Sequence, residues 1–351
     1  MYIKKNNKRK ILFISPGAHS DTTPFVSGIK KVSQFNSDVI YTKPNSSDYY
    51  ANKKSILFRI LSKLRVPYDQ YNINKRLINK ISKNEYDYLF IIKGNLIKPN
   101  TLKKVKEISP KIKIISWSSD DMMQAHNSSY YYLSCIKHFD LIVTTKSFNT
   151  LNNKLQIYGA KKILFQDNAY VKTIHRPFIK KKLIKKKTIL FIGYAEKERF
   201  RSMNFLAKNG IKVKIYGSGW DKNFYKKNAH YNLNINFRNL EKHKYSEALS
   251  NAYISLCFLR KINRDAQTAR SVEIPACGGL MLAERTNEHL RMFEEWKEAV
   301  YFSSDKELLE KINYLMKNKR VRDKIAKNGY KKCKYQKMSY NDRLKTILKN
   351  C

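Results

Sequence analysis

Apolar runs of four to seven residues alternate with longer amphipathic segments along most of the chain, and this alternation limits the available folds more than any other feature. Short apolar runs bounded by turns suit strands buried on both faces, and the helical-period segments between them suit crossover helices, so the pattern predicts parallel-sheet α/β folding. In the first half, strands are predicted at Lys10–Ser15, Asp38–Thr42, Tyr86–Lys93, Lys111–Trp117, Asp140–Thr145 and Lys161–Gln166. Helices are predicted there at Thr101–Ser109, Ser129–His138 and Asn149–Tyr158. A second series restarts at Thr188–Gly193, with strands at Lys212–Tyr216, Tyr253–Leu259, Leu280–Ala283 and Ala299–Phe302. Its helices are predicted at Glu198–Asn209, Lys242–Asn251, Lys306–Lys317 and Arg320–Lys331.

A basic run, Lys180–Lys187, separates the two series and has linker character. Two successive α/β series imply two Rossmann-like domains, with parallel sheets facing across a cleft: residues 1–175 in the first and 176–335 in the second. Residues 336–351 hold a last helix, Tyr340–Lys349, expected to cross back to the first domain. At 351 residues, each domain is large enough to bury its own core.

The 71 Lys and Arg against 28 Asp and Glu give a net charge of +43, which would draw any polyanion: nucleic acid, an anionic membrane leaflet or a phosphorylated glycan. Lys, Asn, Ile and Tyr are abundant together, as A+T-rich codon usage also produces, so charge alone selects no partner. The five cysteines form no CxxC pair, which argues against a zinc site or disulfide framework and fits a reducing cytoplasm. No stretch approaches the roughly 18 apolar residues of a membrane span, so the expectation is a cytoplasmic protein, soluble or peripheral at the inner membrane face.

Charged residues are sparse in one stretch, Asp265 to Glu284, where a predicted short helix meets a Gly278-Gly279 break and a buried strand. Asp265, Arg270, Glu273 and Glu284 stand there among apolar neighbours, and charges in such a junction are costly without partners or a task. Pro275 is compatible with that helix if the helix begins just before it, which would aim unsatisfied N–H groups at a ligand. Cys277 reads as a small buried filler.

The second half resembles the CgeB-like, spore-maturation type of glycosyltransferase, a branch of the GT-B superfamily. Four motifs carry the resemblance in order: Phe191-Ile192-Gly193 with Arg199; Ile215-Tyr216-Gly217-Ser218-Gly219-Trp220; Arg270 through Gly279; and Glu307-Leu308-Leu309 with Ile312, Tyr314, Arg322 and Ile325-Ala326. Lys93-Gly94 and Ser116-Trp117-Ser118-Ser119-Asp120-Asp121 resemble the family's first half, while the segment Pro44–Pro67 has no counterpart.

The resemblance implies a donor site in the second domain. Glu273 matches the carboxylate that receives the ribose hydroxyls, Asp265 stands where related enzymes often place a second acidic residue of an E-x7-E pattern, and Arg199 and Arg270 are candidates for the diphosphate. Gly193, Gly217, Gly219, Gly278 and Gly279 are candidates for close backbone approach to the nucleotide, and Trp220 either stacks on a base or sugar or fills the core. In the first domain Asp120, Asp121 and His19 follow predicted strands and form the pool for a general base, should the reaction invert. Asp120-Asp121 is not an Asp-x-Asp motif, so no metal is expected, and no cofactor beyond the nucleotide-sugar donor.

The function these residues imply is transfer of a sugar from a nucleotide-diphosphate sugar to a hydroxyl of a surface glycan, a lipid-linked glycan or a protein. The basic surface would suit an anionic membrane. One alternative is a family member that binds nucleotide sugar or glycan without turnover. The other is a basic nucleic-acid-binding protein, which the sequence disfavours because it carries no zinc-finger, helix-turn-helix or RNA-binding pattern, so no specific nucleic acid is expected.

Overall fold

Ile11, Leu12, Phe13 and Ile14 are all buried, and their strand is hydrogen-bonded in parallel on both sides. In the computed structural model, which describes residues 8–17, 25, 35–42, 60–61, 63–151, 153–178, 186–240 and 242–351, the same holds for most of the apolar runs. The chain divides into two compact units, Met1–Asp167 with Tyr340–Cys351, and Asn168–Ser339.

The first unit carries β1 (Arg9–Ser15), β2 (Phe35–Tyr41), β3 (Tyr88–Ile92), β4 (Lys113–Ser118), β5 (Leu141–Thr144) and β6 (Ile163–Phe165). These lie in the order β2-β1-β3-β4-β5-β6, every ladder parallel, so the order reverses between β1 and β3. The helix Ile73–Lys83, which the sequence reading passed over, buries Ile73, Leu77 and Ile81 at four-residue spacing. Ser129 caps the helix Tyr130–Cys135 by accepting from the Tyr132 N–H at 3.1 Å.

The expected helix Asn149–Tyr158 is instead two short pieces, Phe148–Leu151 and Lys154–Ile157. Asn153, between them, sits at φ 46°, and a left-handed residue ends a right-handed helix. The helix Tyr340–Lys349 belongs to this unit: Tyr340 meets the Phe25 ring edge-on at 4.8 Å, and the Arg343 carbonyl accepts from Gln166 Nε2 at 3.0 Å.

The second unit carries β7 (Lys186–Ile192), β8 (Val213–Tyr216), β9 (Leu233–Asn236), β10 (Ala252–Cys257), β11 (Met281–Glu284) and β12 (Val300–Phe302). Their order is β12-β11-β10-β7-β8-β9, again all parallel, with the reversal between β7 and β10. Crevices at the carboxyl ends of strands flanking such a reversal are where open α/β sheets bind ligands. Strand β9 was not expected: Leu-Asn-Ile-Asn at a sheet edge has no apolar run to announce it.

Among the described residues no helix is long and apolar enough to cross a membrane. His19 and Lys180–Lys185 of the basic run lie outside the described residues.

Candidate functional site

Strand β7 delivers Ile192 and Gly193 to the reversal point of the second sheet. The Gly193 N–H donates to the Tyr216 carbonyl at 2.9 Å, and the Gly193 carbonyl accepts from Trp220 Nε1 at 2.9 Å. Gly217 lies over this turn at φ 143°, where a Cβ would come within 2.1 Å of the Gly193 oxygen, so only glycine fits. Gly219, at φ 82°, packs beneath the Tyr194 ring. Trp220 is 0 % exposed and lies in the core with Phe191 and Tyr225. The stacking role offered for Trp220 is therefore corrected: it clamps the Gly193 turn from inside and presents no face to a ligand.

Arg199, in the first turn of the helix Lys197–Lys208, is 8 % exposed. Its Nη1 donates to the Tyr194 carbonyl at 3.1 Å, and Nε lies 3.4 Å from Glu196 Oε2. Arg260 holds the other oxygen of Glu196 at 2.8 Å. Burial pulls the Arg199 guanidinium below its ordinary pKa, Glu196 opposes that pull, and the neighbouring Arg270 adds to it. Arg270 Nε donates at 2.6 Å to the Ile192 carbonyl, the last of β7. Two guanidinium groups are thus brought into one field at the sheet's carboxyl edge, with Asp265 close enough to act on Arg199.

Arg270 opens the helix Arg270–Ala276, and Pro275 stands inside it rather than in its first turn. The expectation of a helix starting just before Pro275 is corrected. The start is fixed by Thr268 and Ser271: Thr268 Oγ1 accepts from the Arg270 N–H at 3.2 Å, and Ser271 Oγ accepts from the Thr268 N–H at 3.0 Å. Those amides are consequently engaged within the chain. Behind the helix start, Ser271 Oγ is 2.7 Å from His289 Nε2, both residues fully buried, and His289 Nδ1 is 2.7 Å from the Glu284 carbonyl.

The helix closes on its glycines. Gly278, at φ 71°, donates to the Pro275 carbonyl at 2.9 Å and Gly279 to the Ile274 carbonyl at 3.0 Å, the paired bonds of a Schellman end. Strand β11 begins two residues later, so both glycines lie at the amino edge of the sheet. Their assignment to the nucleotide is corrected: they shape the turn at the edge opposite Arg270. Cys277 is buried, which pushes its thiol up to about 12.

Glu273 lies one turn beyond Arg270 on the same helix, its side chain 15 % exposed. Its Oε2 accepts from the Tyr245 hydroxyl at 2.6 Å, and Oε1 is 3.7 Å from His175 Nε2. Asp265 Oδ1 accepts from Asn263 Nδ2 at 2.7 Å, next to Arg264 at φ 50°.

Glu284, the acid ending β11, accepts from the Leu259 N–H at 2.9 Å and pairs with Lys261, so it fixes the loop that follows β10. A pocket of about 290 Å3 opens beside this loop, lined by Arg199, Leu259, Lys261, Glu284, Arg285 and Ser303 among others. Arg260, Lys261 and Arg285 were missed in the sequence, since nothing distinguishes them from other basic residues there.

In the first unit, Asp120 and Lys93 form an ion pair at the carboxyl ends of β4 and β3, with Asp120 19 % exposed and Lys93 at φ 66°. Asp121 is 0 % exposed; its Oδ1 accepts from the Met123 N–H at 3.1 Å and from Asn149 Nδ2 at 3.2 Å. Asp121 is corrected from candidate base to buried turn anchor, while Asp120 keeps a solvent-facing carboxylate. Among the described residues no three His, Cys, Asp or Glu come together as a metal site would need.

The two six-stranded parallel sheets with interleaved helices match GT-B glycosyltransferase structures over nearly the whole chain. Residues 199–349 match the family model described as "Glycosyl transferase-like". HepE of Anabaena, solved in complex with UDP and glucose, is 10 % identical, with a TM-score of 0.66 over 98 % of this chain and 100 % of that one. A glycosyltransferase from Rickettsia africae is 13 % identical, with a TM-score of 0.63 over 98 % of this chain and 97 % of that one. Sucrose-phosphate synthase of Thermosynechococcus elongatus is 8 % identical, with a TM-score of 0.63 over 97 % of this chain and 98 % of that one. No curated protein matches the chain.

Proposed function

We propose that the chain is a glycosyltransferase of the CgeB-like branch, moving a sugar from a nucleotide-diphosphate sugar to a hydroxyl of a surface glycan, a lipid-linked glycan or a protein. One observation carries this reading. Arg270 and Glu273 stand one helical turn apart, and Arg270 is pinned to the carbonyl that ends β7, beside Arg199, at the reversal point of the sheet. A carboxylate that can accept two hydroxyls, one turn from a fixed pair of guanidinium groups, suits a ribose joined to a diphosphate. UDP in the HepE structures supports the same class of donor.

As the glycosidic bond breaks, the leaving nucleoside diphosphate gains negative charge. Arg199 and Arg270 are held in advance of that moment, so they stabilise the developing charge without reorganising. Asp265, within the field of Arg199, is a further candidate for the donor site, and Asp120 of the first unit is the candidate to take the acceptor proton if the configuration inverts.

The test is release of nucleoside diphosphate from a panel of nucleotide sugars, wild type against Glu273→Ala. Turnover lost in the variant is expected; no hydrolysis or transfer from any donor would sink the enzyme reading. Binding of nucleotide without turnover would favour the second reading, a non-catalytic relative, to which the short Asp265 carboxylate drawn onto Asn263 gives some support.

The excess of 43 positive charges further suggests work at the cytoplasmic face of an anionic membrane, beside a lipid-carried acceptor. Sedimentation with vesicles tests this: binding should rise with anionic lipid and fall with salt.

A further inference from the structure

Glu273 is held on one oxygen and faced on the other. Tyr245, on the helix Lys242–Asn251, is buried, and its hydroxyl reaches Oε2 at 2.6 Å, a length typical of a hydrogen bond to a charged acceptor. Burial and the adjacent carboxylate hold the Tyr245 phenol well above its ordinary pKa, so it remains a donor across working pH. His175 approaches the other oxygen from the segment that leads into the unit. The Val171 N–H donates to His175 Nδ1 at 3.1 Å, so Nδ1 carries the lone pair and the ring proton resides on Nε2, the nitrogen 3.7 Å from Oε1.

The ring itself is fixed at its base. The His175 N–H donates to the Val171 carbonyl at 2.7 Å, and Ser246 Oγ donates to the Ile174 carbonyl at 2.5 Å. Ser246 follows Tyr245 directly, so one helix positions both partners of the carboxylate.

We propose that Tyr245 and His175 are positioning residues that set the Glu273 carboxylate for the vicinal ribose hydroxyls of the nucleotide, so that preference for a 2′,3′-diol depends on both of them. The proposal rests on the donor-site role given to Glu273 above. A glutamate on a helix surface has several rotamers, and fixing one on binding costs side-chain entropy. A carboxylate already held by Tyr245 and faced by His175 has met that cost in the fold. It also keeps lone pairs for two incoming hydroxyls, since an ionised carboxylate has about four acceptor sites.

Calorimetric titration with UDP and with 2′,3′-dideoxy-UDP separates this from a merely structural role. The proteins compared are wild type, Tyr245→Phe, His175→Asn and Glu273→Gln. In His175→Asn the amide oxygen can still accept from the Val171 N–H, while nothing replaces Nε2. Wild type is expected to prefer UDP by tenfold or more; Tyr245→Phe should lose about tenfold in UDP affinity, the scale of a lost hydrogen bond to a charged group, and His175→Asn a smaller share, while the dideoxy-UDP affinity of both holds.

Equal loss for both ligands, or an unchanged preference in both variants, overturns the proposal. If Tyr245→Phe fails to melt cooperatively, His175→Asn decides. A wild type that binds UDP without preferring the diol overturns the ribose role of Glu273 and this proposal together. A wild type that binds neither nucleotide fails at the donor reading itself.

Discussion

Trp220 Nε1 donates to the carbonyl of Gly193 at 2.9 Å, tying a fully buried indole to the turn that ends β7. Trp220→Phe keeps an aromatic ring in the core and removes the donor. The orphaned carbonyl costs about 1–3 kcal/mol, and the lost ring volume adds to that. Urea denaturation should show this drop, and nucleotide affinity at saturating folded protein should change little, because the indole faces inward.

Gly217 and Gly210 both have positive φ, but only Gly217 is crowded. A Cβ at 217 would lie 2.1 Å from the Gly193 oxygen, whereas at 210 nothing lies within 4 Å. Gly210→Ala should cost about 1–2 kcal/mol, the penalty of left-handed backbone alone. Gly217→Ala should fail to give a cooperatively folded second unit. Comparable urea midpoints for the two variants would contradict the packing seen around Gly193.

Both parallel sheets were legible in the sequence because buried parallel strands must be apolar throughout, as Ile11–Ile14 and Ile189–Ile192 are. Strand β9 was not, because an edge strand reading Leu-Asn-Ile-Asn draws on backbone pairing more than on burial. Within the site, Arg270 and Glu273 stood out as charges in an apolar stretch. Tyr245 and His175 did not: each looks ordinary in its own segment, and they meet Glu273 only through the fold, across 28 residues in the case of Tyr245. Gly278 and Gly279 were misassigned, and Trp220 left open between ligand and core, for the same reason. A sequence motif marks a residue as required, but burial and sheet edge decide whether a ligand or the core requires it.

Arg270→Lys retains the charge and discards the geometry. A lysine cannot donate from a fixed Nε to the Ile192 carbonyl and still present a planar fork to a diphosphate. If the donor reading holds, kcat/KM for the nucleotide sugar should fall by about 10²-fold, the scale of losing one preorganised donor to a developing oxyanion. Stability should change far less. A variant with wild-type kcat/KM would remove Arg270 from the diphosphate.

His289 gives stability a pH dependence of known sign. Burial lowers its pKa, only partly offset by its bond to the Glu284 carbonyl. The Nδ1–H donates to that carbonyl, which leaves Nε2 to accept from the Ser271 hydroxyl. Below the unfolded histidine pKa of about 6.5 the unfolded chain takes up a proton that the folded chain refuses. Stability from this group is therefore full above that pH and declines as pH falls beneath it, by at most about 1.4 kcal/mol per pH unit. His138, lowered by burial and by Lys137, Lys103 and Lys161, acts in the same sense. Urea midpoints at pH 7.5 and 5.5 should accordingly differ less in His289→Gln than in wild type, with the His138 share remaining.

Asp120 and Asp121 are adjacent in sequence and opposite in situation. Asp121 is sealed in the first unit and holds the Met123 amide and the Asn149 side chain, so Asp121→Ala should lower the melting temperature whatever the chemistry of the protein. Asp120 reaches solvent beside Lys93 at the carboxyl edge of its sheet. Asp120→Asn keeps shape and hydrogen-bonding capacity but cannot take a proton. If transfer inverts configuration and Asp120 is its base, the variant should bind UDP as wild type does and lose transfer by about 10²–10⁴-fold. A retaining product, read by NMR at the new anomeric centre, together with near-normal transfer in Asp120→Asn, would instead leave Asp120 as an ion-pair partner of Lys93 with no part in proton transfer.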